Sequence, residues 1–350
     1  KARIDPRTGL PVNTKRQNNN VPTRIESNFD KDLLKLFNEV TFWQRFGGEH
    51  PIPYLALDIA HQRDNLRLLR ENVMLVVTDY NQILDKLNAE EQLLFREQLR
   101  RLDRRVNAGL NRFTWASKGV IEWYVKDCRK HCSTSFSLCQ QFKSQDADIA
   151  KACRSMSKLK LLSLKRNYVY DDGVFVAEQD IHRKRVRERL QELRSRVEKN
   201  IREMYEIFSG DPPDIQQRWK QYVFGVEKQM EVALRACLKS SLKEFNKSIN
   251  GDGKNDPQPL FKTNAVLKDN IIVFDPSMVS LTARVNSVCK ALVSVISCVD
   301  RLAIFADQRD ESVEDRSSFY DVLSNESEVL DILVSIMNGL SANSTEMDKY

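Results

Sequence analysis

The chain has 350 residues, of which 41% are hydrophobic, 30% charged and 8% aromatic, enough apolar side chains for real cores and too many for a disordered polymer. Only 11 glycines and 10 prolines occur, few for a sandwich or barrel that must turn about every 8 to 12 residues, which argues against an all-β fold. Lys and Arg exceed Asp and Glu by six, a surplus too small and too dispersed to point to nucleic acid by itself.

The length suits two compact domains or one elongated array. Residues 1–24, with Pro6, Gly9, Pro11 and Pro22, read as an extended lead-in. The chain opens on Lys1 rather than Met, which reads as a piece of something longer. From Phe29 the apolar residues take helical spacing: Leu33, Leu34, Phe37, Val40 and Trp43 share one side of a helix that stops at Gly47-Gly48. Two further helical runs are expected over 55–87 and 90–106. A long one follows over 114–164, with a possible break at 144–146.

At Tyr168-Val169-Tyr170 the period changes, and Asp171-Asp172-Gly173 precedes Val174-Phe175-Val176. That stretch reads either as a tight hairpin over 168–176 or as an irregular loop. Helix resumes over 180–208, where Val186, Leu190, Leu193, Val197, Ile201, Met204 and Phe208 form a stripe. Its spacing averages about 3.67 residues, which favours a bundle helix over the 3.5 of a dimeric zipper. Another helix spans 214–249 and stops at Asn250-Gly251. Ile271-Ile272-Val273-Phe274 reads as a short strand before an apolar helix over 278–305. Asn286, Lys290, Asp300 and Arg301 interrupt that helix, so no membrane crossing is expected. An acidic connection over 306–318 leads to a last helix over 319–340. The expected fold is all-α, an elongated stack of helical bundles with one or two short β pieces. Its parts are 1–24, 25–165, 166–305 with the possible hairpin, and 306–350.

Cys128, His131, Cys132 and Cys139 superficially resemble metal ligands. On one straight helix, however, they spread over ~16 Å, too far to close around one ion, so small buried thiols are expected and no metal. Seven Cys without a signal-peptide pattern suit reduced thiols. Near Gly253-Lys254 a phosphate loop would need Gly at 248 and Ser or Thr at 255, where Ser248 and Asn255 stand. No catalytic constellation and no cofactor site is read here. Between Asp180 and Met204, nine Lys or Arg face five acids. The basic side reads as an ordinary solvated face, as a surface for an acidic protein or tubulin, or as a nucleic-acid contact. By helical angle, Arg183, Arg187, Arg194 and Arg202 fall outside the apolar stripe and are the candidate partner-binding residues.

Glu26-Ser27-Asn28-Phe29-Asp30, the acidic helix through Glu39-Val40, Gly47-Gly48 and Pro51-Ile52-Pro53 together resemble the start of the tail of dynein heavy chains. Tyr80-Asn81, Glu90-Glu91-Gln92-Leu93-Leu94-Phe95, Gly109-Leu110 and Thr114-Trp115-Ala116-Ser117 follow in the same order. Tyr205-Glu206-Ile207-Phe208, Ile215-Gln216-Gln217-Arg218-Trp219 and the segment from Ile249-Asn250-Gly251 to Pro259-Leu260-Phe261 are similar to the axonemal class, in particular the beta-type heavy chain of the two-headed inner arm. The resemblance covers about 22–305. It implies a non-catalytic, force-bearing tail segment that anchors a ciliary motor, whose ATP- and Mg-dependent ring lies outside this chain. The partners it implies are a second heavy chain, WD-repeat intermediate chains, light chains and docking components of the doublet microtubule, with no nucleic acid and no membrane.

Overall fold

Helical periodicity with few breakers produces eleven α-helices and one two-stranded antiparallel sheet among the residues described by the computed structural model. Those residues are 23–27, 31–47, 51–110, 119–165, 168–251, 259–303 and 317–347. Most of the expected lead-in, the motif at 114–117, residues 252–254 and nearly all of the acidic connection lie outside them. The helices are α1 (Lys31–Phe46), α2 (Tyr54–His61), α3 (Arg63–Lys86), α4 (Ala89–Leu94), α5 (Arg96–Leu110), α6 (Val120–Ser157), α7 (Asp172–Phe208), α8 (Pro213–Asn250), α9 (Met278–Ser294), α10 (Phe319–Ser324) and α11 (Ser327–Met347). Strands β1 (Asn264–Lys268) and β2 (Ile271–Asp275) lie between α8 and α9. The chain forms two units, one of Lys1–Ser144 with Ile207–Arg218 and one of Gln145–Glu206 with Trp219–Tyr350.

In the first unit, polar side chains fix the helix ends and aromatic rings fill the centre. Asn88 caps α4, accepting from the Glu91 amide at 2.8 Å, while the Glu91 carboxylate accepts from the Asn88 amide at 2.9 Å. Lys143 of α6 pairs with that carboxylate at 2.6 Å. Phe95, Phe142 and Phe208 meet edge to face, their ring centres 5.0 to 6.0 Å apart. Gln98 donates to the Ile207 carbonyl and to Asp211, tying α5 to the turn between α7 and α8. Asn81 holds both backbone groups of Ile25, at 3.0 and 2.9 Å. On α5, a Cβ at Gly109 would stand 2.2 Å from the Tyr124 ring, so the helix crosses there only without a side chain.

In the second unit the α7 stripe from Val186 to Met204 is buried, as are Trp219, Val223, Met230, Leu234, Leu238 and Phe245 of α8. The connection after α6 is pinned through polar atoms. Buried Gln179 bonds both ways with the Ser163 backbone, and Ser241 accepts from the Leu161 amide at 2.9 Å. Gly251, at φ +75°, closes α8 in the left-handed region that glycine tolerates.

Several expectations are corrected, beginning with the runs over 55–87 and 90–106, each of which is two helices, α2 with α3 and α4 with α5. The hairpin over 168–176 is absent: Tyr170 makes a single parallel bridge with Phe261, and Asp172 opens α7. The stripe continues backwards through buried Gln179 and Phe175, and an acidic residue suits a first turn, so helix wins. The break at 144–146 is also absent, because Gln145 and Asp146 direct their polarity sideways, to Glu203 at 2.7 Å and to the Tyr222 hydroxyl at 2.6 Å. The apolar helix ends earlier than 305, at Ser294, followed by a 3-10 turn over Val295–Cys298. Beyond it side chains replace the helical bonds: Glu227 accepts from the Leu302 amide, and Arg194 donates to the carbonyls of Asp300 and Arg301. The last helix is two, with Ser318 capping α10 and Asn325 ending it. The strand at 271–274 is present as β2, paired with β1 through Asp269 and Asn270, both at positive φ as two-residue hairpin turns demand.

Residues Met278–Cys298 meet the length and apolarity of a bilayer span by composition, which the sequence reading did not allow. In the fold, Leu281, Val285, Val288, Cys289, Leu292 and Val293 of α9 are buried in the second unit.

An ion-pair chain joins α8 to the segment leading into α11. Glu326 accepts from Arg235 and Lys239 at 2.8 and 2.5 Å, and Glu328 from Lys239 and Lys243 at 2.5 and 2.8 Å. Hydrogen bonds from Lys239 and Lys243 hold the Glu328 carboxyl down at about 2. Burial pushes Glu326 up, but the bonds and charges of Lys239 and Arg235 bring it below its ordinary value. A depressed carboxyl stabilises the fold above its unfolded pKa, and that contribution disappears as pH falls through the folded one. Protection of the amides over 319–347, taken relative to intrinsic exchange at each pH, is therefore expected to fall between pH 4.5 and about 2, with a smaller step in Glu328→Gln.

Candidate interaction surfaces

The stripe of α7 is inside: Val186, Leu190, Leu193, Val197, Ile201, Met204 and Phe208 are each no more than 5% exposed. The four arginines chosen by angle differ in their surroundings. Arg183 is mostly covered and pairs with Asp180, and burial lowers its pKa. Arg187 lies 3.5 Å from the Ser294 hydroxyl of α9. Arg194 pairs with Glu198 at 2.6 Å and grips the backbone at 300–301. Arg202 is exposed. Arg187 and Arg194 thus face the chain's own α9 and the segment after it, while Arg183 is covered beside Asp180, and the four do not form one open patch.

Cys128, Cys132 and Cys139 are buried, and burial pushes Cys132 and Cys139 up to about 12. Such thiols resist forming the thiolate that binds a metal. His131 pairs with Asp127 at 3.3 Å. A groove of about 560 Å³ lies among α9, α10 and α11, lined by Cys289, Lys290, Tyr320, Leu333 and Met337. Its one thiol is also raised by burial to about 12, unsuited to nucleophilic chemistry. The surface carries apolar side chains as well. Phe42, Trp43 and Phe46 of α1 form an exposed aromatic ladder, and Leu267, Ile271 and Ile272 of the hairpin are open. These features suit protein contacts rather than chemistry on a small molecule.

A family profile described as dynein heavy chain, N-terminal region 1, matches residues 6–124. Human dynein axonemal heavy chain 2 is 34% identical over 332 residues, covering 93% of this chain. The Chlamydomonas reinhardtii dynein-1-beta heavy chain of the flagellar inner arm I1 complex is 31% identical over 91% of the chain. The chain belongs to the dynein heavy chain family. It spans 7% of the length of either relative, in the tail region. The relatives are axonemal and flagellar, which places this dynein segment in the cytoskeleton of the axoneme. The dynein-1-alpha heavy chain of the same complex is 22% identical over 93% of the chain, so the similarity leans to the beta side.

The motif residues that carried the resemblance hold the dynein segment together. Asn81 fastens the backbone of Ile25, Glu91 completes a cap, Phe95 joins the aromatic cluster and Gly109 admits Tyr124. Sequence reasoning missed the strand β1 and the outward face of α6. The first had a signal in Asp269-Asn270 between apolar runs. The second had one in the spacing of Lys151, Arg154 and Lys158.

Proposed function

We propose that this segment is a structural, force-transmitting part of the tail of an axonemal inner arm dynein heavy chain. It anchors the motor to the doublet microtubule and seats intermediate and light chains beside a second heavy chain. ATP and Mg chemistry belongs to parts of the heavy chain beyond it. The observation that carries the reading is the similarity to inner arm heavy chains across more than nine-tenths of the chain. Support comes from three helices of 37 or 38 residues, each unbroken and lined by buried stripes, a form suited to bearing load. An affinity-tagged chain mixed with a high-salt axonemal extract is expected to capture intermediate chains and a second heavy chain, read by mass spectrometry, and to show no ATP turnover alone. Turnover by the isolated chain, or capture of neither subunit class, overturns the reading.

A further inference from the structure

We propose that the outward face of α6 and α7 in the second unit is a docking surface for an acidic helical segment of another polypeptide, centred on Lys151, Arg154, Lys158, Lys184 and Arg185. All five are exposed, and none has an ion-pair partner among the described residues. The acids nearby are paired elsewhere: Asp148 with Arg196, though it also feels the charge of Lys151, Glu178 with Lys165, Asp180 with Arg183 and Glu192 with Arg189. Glu188 is the exposed acid left beside the five. The ion pairs thus consume the carboxylates of this stretch and leave a positive surplus in one place.

Placement on the helices makes that surplus a surface. With 100° per residue continued one position past the end of α6 at Ser157, Lys151, Arg154 and Lys158 fall within about 60° of one another. Ile149, Ala152, Cys153 and Met156 are buried on the opposite side. Asp148 bonds Arg196 and Asn200, and His182 reaches the Lys160 carbonyl, so α6 and α7 run antiparallel with Arg185 level with Lys158. The cations extend ~10 Å along α6 at positions i, i+3 and i+7, the period at which carboxylates repeat on one side of a helix. Residues 151–158 contain no aromatic ring to stack a base, which favours an acidic protein over nucleic acid. The inference rests on the reading of this segment as a seat for other subunits, and it names the chemistry of one seat.

The test uses the 350-residue chain and a fluorescein-labelled 14-residue helical peptide, about four turns long, with Glu on one face. Anisotropy is expected to show saturable binding at 50 mM NaCl that weakens several-fold at 200 mM, as exposed charges require. Lys158→Glu with Arg185→Glu should weaken it at least tenfold, and Lys158→Gln with Arg185→Gln by less, with unchanged circular dichroism. Lys126→Glu with Lys130→Glu, exposed cations elsewhere on α6, should leave it within twofold. No binding up to 1 mM peptide, equal loss in both Glu pairs, or tighter binding of a single-stranded RNA 12-mer at the same salt overturns the proposal. If subunit capture from extract survives such a failure, the docking face falls and the tail reading stands.

Discussion

Leu193→Asp is expected to destabilise the second unit by several kcal/mol, about 3 to 5, because it places an ionised carboxylate in a buried apolar stripe. Leu193 is 3% exposed, in the middle of a stripe that continues in both directions through Leu190 and Val197. The variant should express poorly or melt many degrees lower, followed by circular dichroism at 222 nm. Arg185→Glu, on the open side of the same helix, should leave the melting temperature nearly unchanged. Arg194→Glu falls between them, since it removes donors from the carbonyls of Asp300 and Arg301 and sets a carboxylate beside Glu198. Unfolding by Arg185→Glu with tolerance of Leu193→Asp would mean that the buried side of α7 has been misplaced.

Phe208→Ala should cost the first unit ~3 to 5 kcal/mol through lost burial and the cavity left behind. Phe208 is fully buried and touches Phe95 at 5.0 Å and Phe142 at 6.0 Å between ring centres, so its removal opens a hole bordered by two aromatic faces. Phe208→Leu should recover more than half of that loss by filling most of the space. Denaturant midpoints of the three proteins provide the comparison. A loss below 1 kcal/mol in Phe208→Ala would show that Phe95 and Phe142 close the gap themselves.

The helices were legible because burial demands a repeating apolar side and the chain has few residues that break it. Gly47 and Gly251 marked two ends correctly. Misreadings came where polar residues have two uses. Asp171-Asp172-Gly173 suits a turn as well as a helix start, and the distant stripe of α7 decided in favour of the start. Ser144, Gln145 and Asp146 look like a break in isolation, yet two of them bond to α7 and α8. The candidate arginines show the same limit. An angle measured from the apolar stripe separates inside from outside, but it does not tell which outer flank another element covers. Arg187 and Arg194 lie on the flank that α9 and residues 300–301 occupy. The resemblance to dynein heavy chains was legible for a different reason, since it rests on the order of residues that cap, clamp and fill rather than on any reacting group.

The unbroken stripe of α7 makes length a stricter inheritance than composition. Replacing Leu190 by another aliphatic residue disturbs one contact, whereas inserting one residue before it swings all later side chains by about 100°. Leu193, Val197, Ile201, Met204 and Phe208 would leave the core together. Variation in this segment is accordingly free to exchange side chains of like kind within the long helices, while gains and losses of residues belong in the turns.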